Sequence, residues 1–211
     1  MEGRMENTVK FFRRNLPHWL VSDRTYFVTI RLHGTLPKTV VQAFQQERSH
    51  LEDAPTDSTE LLELQRRQFL RLEEILDSCK TGNTWLANPD VAAMVLKNLD
   101  WLRAERGWRI YASVAMSTHL HLLMRSEDGR SGDLLKDLAD FKRFSGRMAN
   151  QMLGRSGPFW ARENFDHWIR SREKFEGTVR YILNNPVKAG LVANWQDWPW
   201  YCLDESIREL V

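Results

Sequence analysis

The run Thr25–His33 alternates without interruption: Tyr26, Val28, Ile30 and Leu32 fall on one side of an extended backbone, Phe27, Thr29 and Arg31 on the other. Period-two patterning in β-branched and aromatic residues specifies a strand, which Gly34 and Pro37 stop. From Val40 to about Lys80 the period lengthens to three and four, through Val41, Phe44, Leu61, Leu64, Phe69, Leu72, Ile75 and Leu76. That is helical spacing, and Asp53–Ser58, which holds Pro55, predicts a division into two helices. Asn88-Pro89-Asp90 reads as a helix entry, a capping residue followed by proline, for a third helix through Leu99 to Arg103.

Two further strands are predicted at about Trp108–Ala115 and Thr118–Arg125, broken at Met116 and Ser117 and therefore a hairpin. A helix follows from about Asp133 to Met152, turning Leu134, Leu135, Leu138, Phe141, Met148 and Met152 inward, before Gly154–Pro158 ends it. Asn164–Arg170 suits a short strand, and a last helix from Arg172 to Asn184 is predicted to stop at Pro186. The order strand, helices, strand, strand, helix, strand predicts an α+β fold: a ferredoxin-like split β-α-β antiparallel sheet with helices on one face. The helical stretch at about 38–106 reads as an insertion within one domain spanning 1–211. A chain of 211 residues with 42% hydrophobic content can bury one substantial core.

Charge gives little direction, because 30 Lys and Arg against 28 Asp and Glu leave a net +2. Cys79 and Cys202 lie far apart without CxxC spacing, which indicates neither a disulfide framework nor a thiolate metal site and fits a reducing compartment. No apolar run approaches the roughly 18 residues of a membrane span, and Met1–Lys10 lacks the apolar stretch of a secretory signal. A soluble, cytoplasmic protein with no membrane partner is expected.

Two motifs carry chemistry. In Thr118–Met124, His119 and His121 share one strand face while Leu120, Leu122 and Met124 face the core. A two-residue step of about 6.6 to 7 Å lets two imidazoles converge on one cation, though the same pattern suits two half-exposed strand histidines. In Tyr181–Val192, Tyr181 and Asn185 are four apart on a helix and so present a phenol and an amide oxygen together, off the apolar stripe through Phe175, Val179 and Ile182. The alternative is a core-edge tyrosine with Asn185 ending the helix.

These motifs, with Thr25–Leu32, Met116–Leu123, Gly157-Pro158-Phe159-Trp160, Asp166-His167-Trp168-Ile169-Arg170 and Asp197-Trp198-Pro199-Trp200, resemble the REP-associated tyrosine transposases, a branch of the single-tyrosine HUH transposases that act on single-stranded DNA. The likeness runs from residue 11 to about residue 201. It implies that His119 and His121 are the HUH metal pair, Asn185 the polar helix residue completing the metal site, and Tyr181 the nucleophile. Two departures stand out: Ser117-Thr118 replaces the family's usual Pro-Asn before the histidines, and the insertion at 38–106 is much longer than in compact members.

The implied activity is a metal-dependent transposase or nickase that cleaves and rejoins REP-like hairpin DNA through a 5′-phosphotyrosine intermediate. A mixed nitrogen and oxygen ligand set suits Mg2+ or Mn2+, with imidazole tilting the preference toward manganese. Single-stranded or hairpin DNA is the expected partner, with a homodimer as one possible assembly. Contacts are expected from Lys142, Arg143, Arg147, Arg155, Arg162, Arg170 and Lys188, with Phe159 and Trp160 stacking on unpaired bases, unless those two rings pack in the core. Two alternatives remain open: a domesticated hairpin-DNA-binding protein without transposition activity, and a metal-dependent hydrolase of small phosphodiesters.

Overall fold

The computed structural model describes residues 8–13, 17–21, 24–49, 59–77, 82–127 and 133–211. In chain order, β1 (Thr8–Arg13) and β2 (Pro17–Val21) pair antiparallel as a two-stranded sheet of their own, in a segment whose basic and aromatic residues carry no clear alternation. There follow β3 (Thr25–Arg31), α1 (Lys38–Ser49), α2 (Thr59–Asp77), α3 (Pro89–Lys97) and α4 (Leu99–Arg106). The hairpin β4 (Trp108–Ala115) and β5 (His119–Ser126), then α5 (Leu134–Met152), β6 (Phe165–Trp168), α6 (Arg172–Lys188) and β7 (Tyr201–Leu203) complete the chain.

The main sheet has the order β6-β3-β5-β4-β7, with every neighbouring pair antiparallel. This is the split arrangement expected from the element order, extended at one edge by β7. The histidine-bearing strand β5 is central, which is why both His119 and His121 are fully buried.

The sheet has an apolar core on each side. Tyr26, Val28, Ile30, Leu120, Leu122 and Met124 pack with residues of α3, α4 and α5, among them Val95, Leu102, Leu138 and Phe141. Phe27, Ala112, Val114 and Leu123, on the other side, pack with Val179, Ile182 and Leu183 of α6. The α+β class and the antiparallel sheet are therefore as expected, but the helices are not confined to one face. Phe27 and Leu123 sit on the alternate side of their strands, and leaving such side chains exposed forfeits about 1.5–3 kcal/mol each. Covering that side is the task of α6.

Three boundaries differ from expectation. The third helix is two, α3 and α4, meeting at Asn98, whose backbone N–H donates to the Met94 carbonyl. Helix α6 continues through Pro186 to Lys188. A proline in the last turn already has helical φ and forfeits one hydrogen bond, and the turn closes beyond it through Gly190 (φ 71°) and the Leu191 N–H on the Pro186 carbonyl. The strand expected at Asn164–Arg170 is limited to Phe165–Trp168. The break expected at Asp53–Ser58 and the helix end at Lys80 lie outside the described residues.

Candidate active site

Strand register places the first groups. Thr29 on β3 is the cross-strand partner of His121 on β5, so both side chains point to the α6 side of the sheet. The Thr29 Oγ1 lies 3.0 Å from His121 Nδ1 and donates to Glu73 Oε1 at 3.2 Å. In the β4–β5 turn, Thr118 Oγ1 donates to the Leu76 carbonyl at 3.3 Å and lies 2.9 Å from His119 Nδ1. The Ser117-Thr118 departure thus supplies a hydroxyl that orients the histidine beside it.

A hydroxyl that has spent its one proton elsewhere can only accept from a neighbour. Each Nδ1 is accordingly placed to donate to its threonine, and the two Nε2 atoms face each other at 2.9 Å. Burial, then the adjacent His121, pushes the His119 pKa well below its ordinary value, which keeps that ring neutral.

Helix α2 brings two buried carboxylates to the same place. Glu73 Oε2 lies 3.2 Å from His121 Nε2, and Asp77 forms with His119 and His121 a group whose ligand atoms all lie within 4.8 Å of one another. Asn185 on α6 directs its amide nitrogen to Asp77 Oδ1 at 3.2 Å, with His121 Nε2 at 3.4 Å, while its buried Oδ1 has no hydrogen-bond partner. Two imidazoles, the Asp77 carboxylate and an amide oxygen without a partner thus lie together in one buried place. The buried Asp77, His119 and His121 could hold a metal ion, a donor set of mixed nitrogen and oxygen ligands.

Tyr181, half-buried, packs edge-on to Phe27 with ring centroids 5.9 Å apart and lies 5.6 Å from the His121 ring. Its hydroxyl donates to Glu73 Oε2. Burial, then the Glu73 carboxylate, raises the phenol pKa well above its ordinary value. Lys188, one turn beyond Asn185, donates to Asp77 Oδ2.

The structure therefore gathers Tyr181, His119, His121, Asn185 and Lys188 into one cluster. Sequence patterning missed Glu73 and Asp77; the available signal was their separation of four residues, each following a core leucine, Leu72 and Leu76.

The other basic residues lie elsewhere. Lys142, Arg143, Arg147, Arg155 and Arg162 line a cleft of about 580 Å³ between α5 and the loop after it, and α5 packs on the sheet face opposite α6. Arg170 belongs to neither place: it is exposed, its guanidinium 4.6 Å from the centre of the Trp168 ring.

Phe159 and Trp160 correct the expectation that they stack on bases, because they are only 3% and 6% exposed. Trp160 Nε1 donates to Ser145 Oγ at 2.9 Å, and Phe159 stacks on Trp85 at 5.5 Å. A Cβ at Gly146 would lie 3.3 Å from Phe159, so the absence of a side chain there admits the pair against α5.

Among the solved structures that share this fold is a REP-associated tyrosine transposase bound to a REP hairpin, at a TM-score of 0.52 and 19% identity over 95% of this chain and 87% of that one. At that identity the likeness is one of fold. No family model matches the sequence, and no curated protein matches it. Among the described residues no helix is long and apolar enough to cross a membrane.

Proposed function

We propose that the protein is a metal-dependent transposase or nickase that cleaves and rejoins REP-like hairpin DNA, with Tyr181 as its nucleophile. The observation that carries this reading is the pair of imidazole Nε2 atoms facing each other at 2.9 Å beside an unpartnered Asn185 oxygen, on the face where α6 presents a tyrosine. Sharing a fold with a transposase solved on a REP hairpin supports the choice of substrate.

In this reading His119, His121 and Asn185 hold the ion, joined by Asp77. A bound magnesium or manganese ion supplies Lewis-acid polarisation of a phosphodiester. Tyr181 Oη bonds to phosphorus as the 3′-oxygen of the cleaved strand departs, leaving a 5′-phosphotyrosine. A second 3′-hydroxyl reverses the step and joins strands. Phenol attack needs the deprotonated oxygen, which the raised pKa of Tyr181 disfavours before substrate binds. Lys188, two turns along α6 from Tyr181 with its Nζ 5.7 Å from the centre of that ring, offers a cation to a phosphate oxygen once one competes with Asp77. Lys142, Arg143, Arg147, Arg155 and Arg162 grip the DNA backbone in their cleft, and Arg170 adds a further phosphate contact outside it.

The test uses labelled single-stranded hairpin, manganese and the Tyr26, Tyr111, Tyr181 and Tyr201 variants to phenylalanine, run on a denaturing gel. Label should travel with every protein except Tyr181→Phe. Adduct formation by Tyr181→Phe removes the reading. Hairpin binding without an adduct from the unaltered protein points instead to a binding protein that performs no chemistry.

A further inference from the structure

Glu73 is not part of any motif in the sequence, yet it touches Tyr181, His121 and Thr29 at the centre of the site. Its Oε2 accepts from the Tyr181 hydroxyl and lies 3.2 Å from His121 Nε2, while its Oε1 accepts from Thr29 at 3.2 Å. Only 3% of it is exposed. Below it on the same helix, Asp77 accepts from Asn185. The two contacts form a ladder: residues one turn apart on α2, Glu73 and Asp77, meet residues one turn apart on α6, Tyr181 and Asn185, with the same separation of 108 residues in each bond. Two helices in matched register hold each other more firmly than one contact would.

Resting on the function proposed above, we propose that Glu73 is a positioning residue for the Tyr181 nucleophile, so that the helices between β3 and β4 build part of the active site. A tyrosine places its oxygen through two side-chain torsions. Phe27 restrains the ring by edge contact, with an interplanar angle of 80°, but an edge contact does not fix where the oxygen ends. A carboxylate immobilised by Thr29 and set against His121 does. It pins the phenol oxygen beside the imidazole pair, and displacement of a reacting atom by about 1 Å is enough to cost on the order of a hundredfold in rate.

The experiment has two arms on the full chain. In the first, N-acetylimidazole acetylates tyrosine hydroxyls in chelator-treated protein without DNA, and mass spectrometry follows Tyr181. Acetylation should quicken about tenfold in Glu73→Ala and less in Glu73→Gln, whose amide oxygen still accepts a hydrogen bond. In the second, hairpin cleavage with manganese should show kcat falling about a hundredfold in Glu73→Ala, with KM nearly unchanged and partial recovery in Glu73→Gln. Should the alanine variant fail to fold, the glutamine variant carries both arms.

Unchanged acetylation overturns the proposal, as does a kcat equal to or above that of the unaltered protein. A loss confined to KM overturns it too. If the unaltered protein never cleaves while acetylation of the variants quickens, Glu73 still holds the phenol, and the transposase reading is what fails.

Discussion

The buried cluster beneath α6 and the basic cleft beside α5 differ in how they are assembled. The cleft comes from a single stretch, residues 142–162, whose long cations lie largely at the surface and lean on partners within it: Lys142 on the Arg162 carbonyl at 2.8 Å, Arg155 on the Pro158 carbonyl at 3.3 Å. The cluster draws on β3, the β4–β5 hairpin, α2 and α6, and His119, His121 and Asn185 are fully buried. Electrostatic interactions strengthen with burial, and an unpaired buried group is costly. One substitution in the cluster should therefore have a near-complete effect, whereas the cleft should respond in small, additive steps.

Losing the histidine pair is the sharpest way to break this contrast. His119→Ala with His121→Ala should abolish cleavage and also the stabilisation by manganese, which at a hundred times Kd amounts to about 2.7 kcal/mol for a single site. Thermal melts with and without metal measure the second effect independently of DNA. A double variant whose melting temperature still rises with manganese would place the ion elsewhere.

Trp160→Ala has no such effect on cleavage per folded molecule but should cost about 3–5 kcal/mol of stability, because a large buried ring is removed. Denaturant unfolding measures it. Hairpin affinity per folded molecule should hardly change, and a large loss of affinity with little loss of stability would restore the ring to a base-stacking role.

Acid should separate the two regions in the metal-free protein. The His119 pKa is lowered in the fold, so the unfolded chain takes up a proton first and stability falls as pH drops below about 6.5. His167, lowered mainly by burial, acts in the same direction. The residues lining the cleft include no histidine or carboxylate to do so. Unfolding free energy measured across this range should lose part of its slope in His119→Ala.

The same contrast explains what could be read before the fold was known. The faces of β3 and β5 and the shared face of Tyr181 and Asn185 follow from periods of two and 3.6, which are local properties. Glu73 and Asp77 do not, since acidic residues flanking an apolar stripe look like any solvated helix face until α2 meets a helix 108 residues further along. Phe159 and Trp160 follow proline and glycine in a loop, which suggests exposure, and only their approach to Gly146 shows where they go. Pro186 reads as a stop because a proline beyond the first turn loses an i→i−4 hydrogen bond and crowds the i−4 carbonyl, yet α6 carries it and ends only two residues later, at Lys188.

The smallest effect expected is that of one cation in the cleft. Arg147 has its guanidinium 5.7 Å from the centre of the exposed Phe144 ring, and Arg147→Ala removes charge without opening the core. If the cleft tracks a single strand, each lost phosphate contact lowers the slope of log affinity against log salt by about 0.7. Affinity itself should fall only a few fold at moderate salt, and the change should be similar for hairpins of different sequence, because a phosphate contact carries no base information. Fluorescence anisotropy across a salt series gives both quantities. Combining Arg147→Ala with Arg155→Ala should roughly double the change in slope, since separate phosphate contacts add. A single-residue loss as severe as that of the histidine pair would mean that the cleft works as one cooperative site, against the division drawn here.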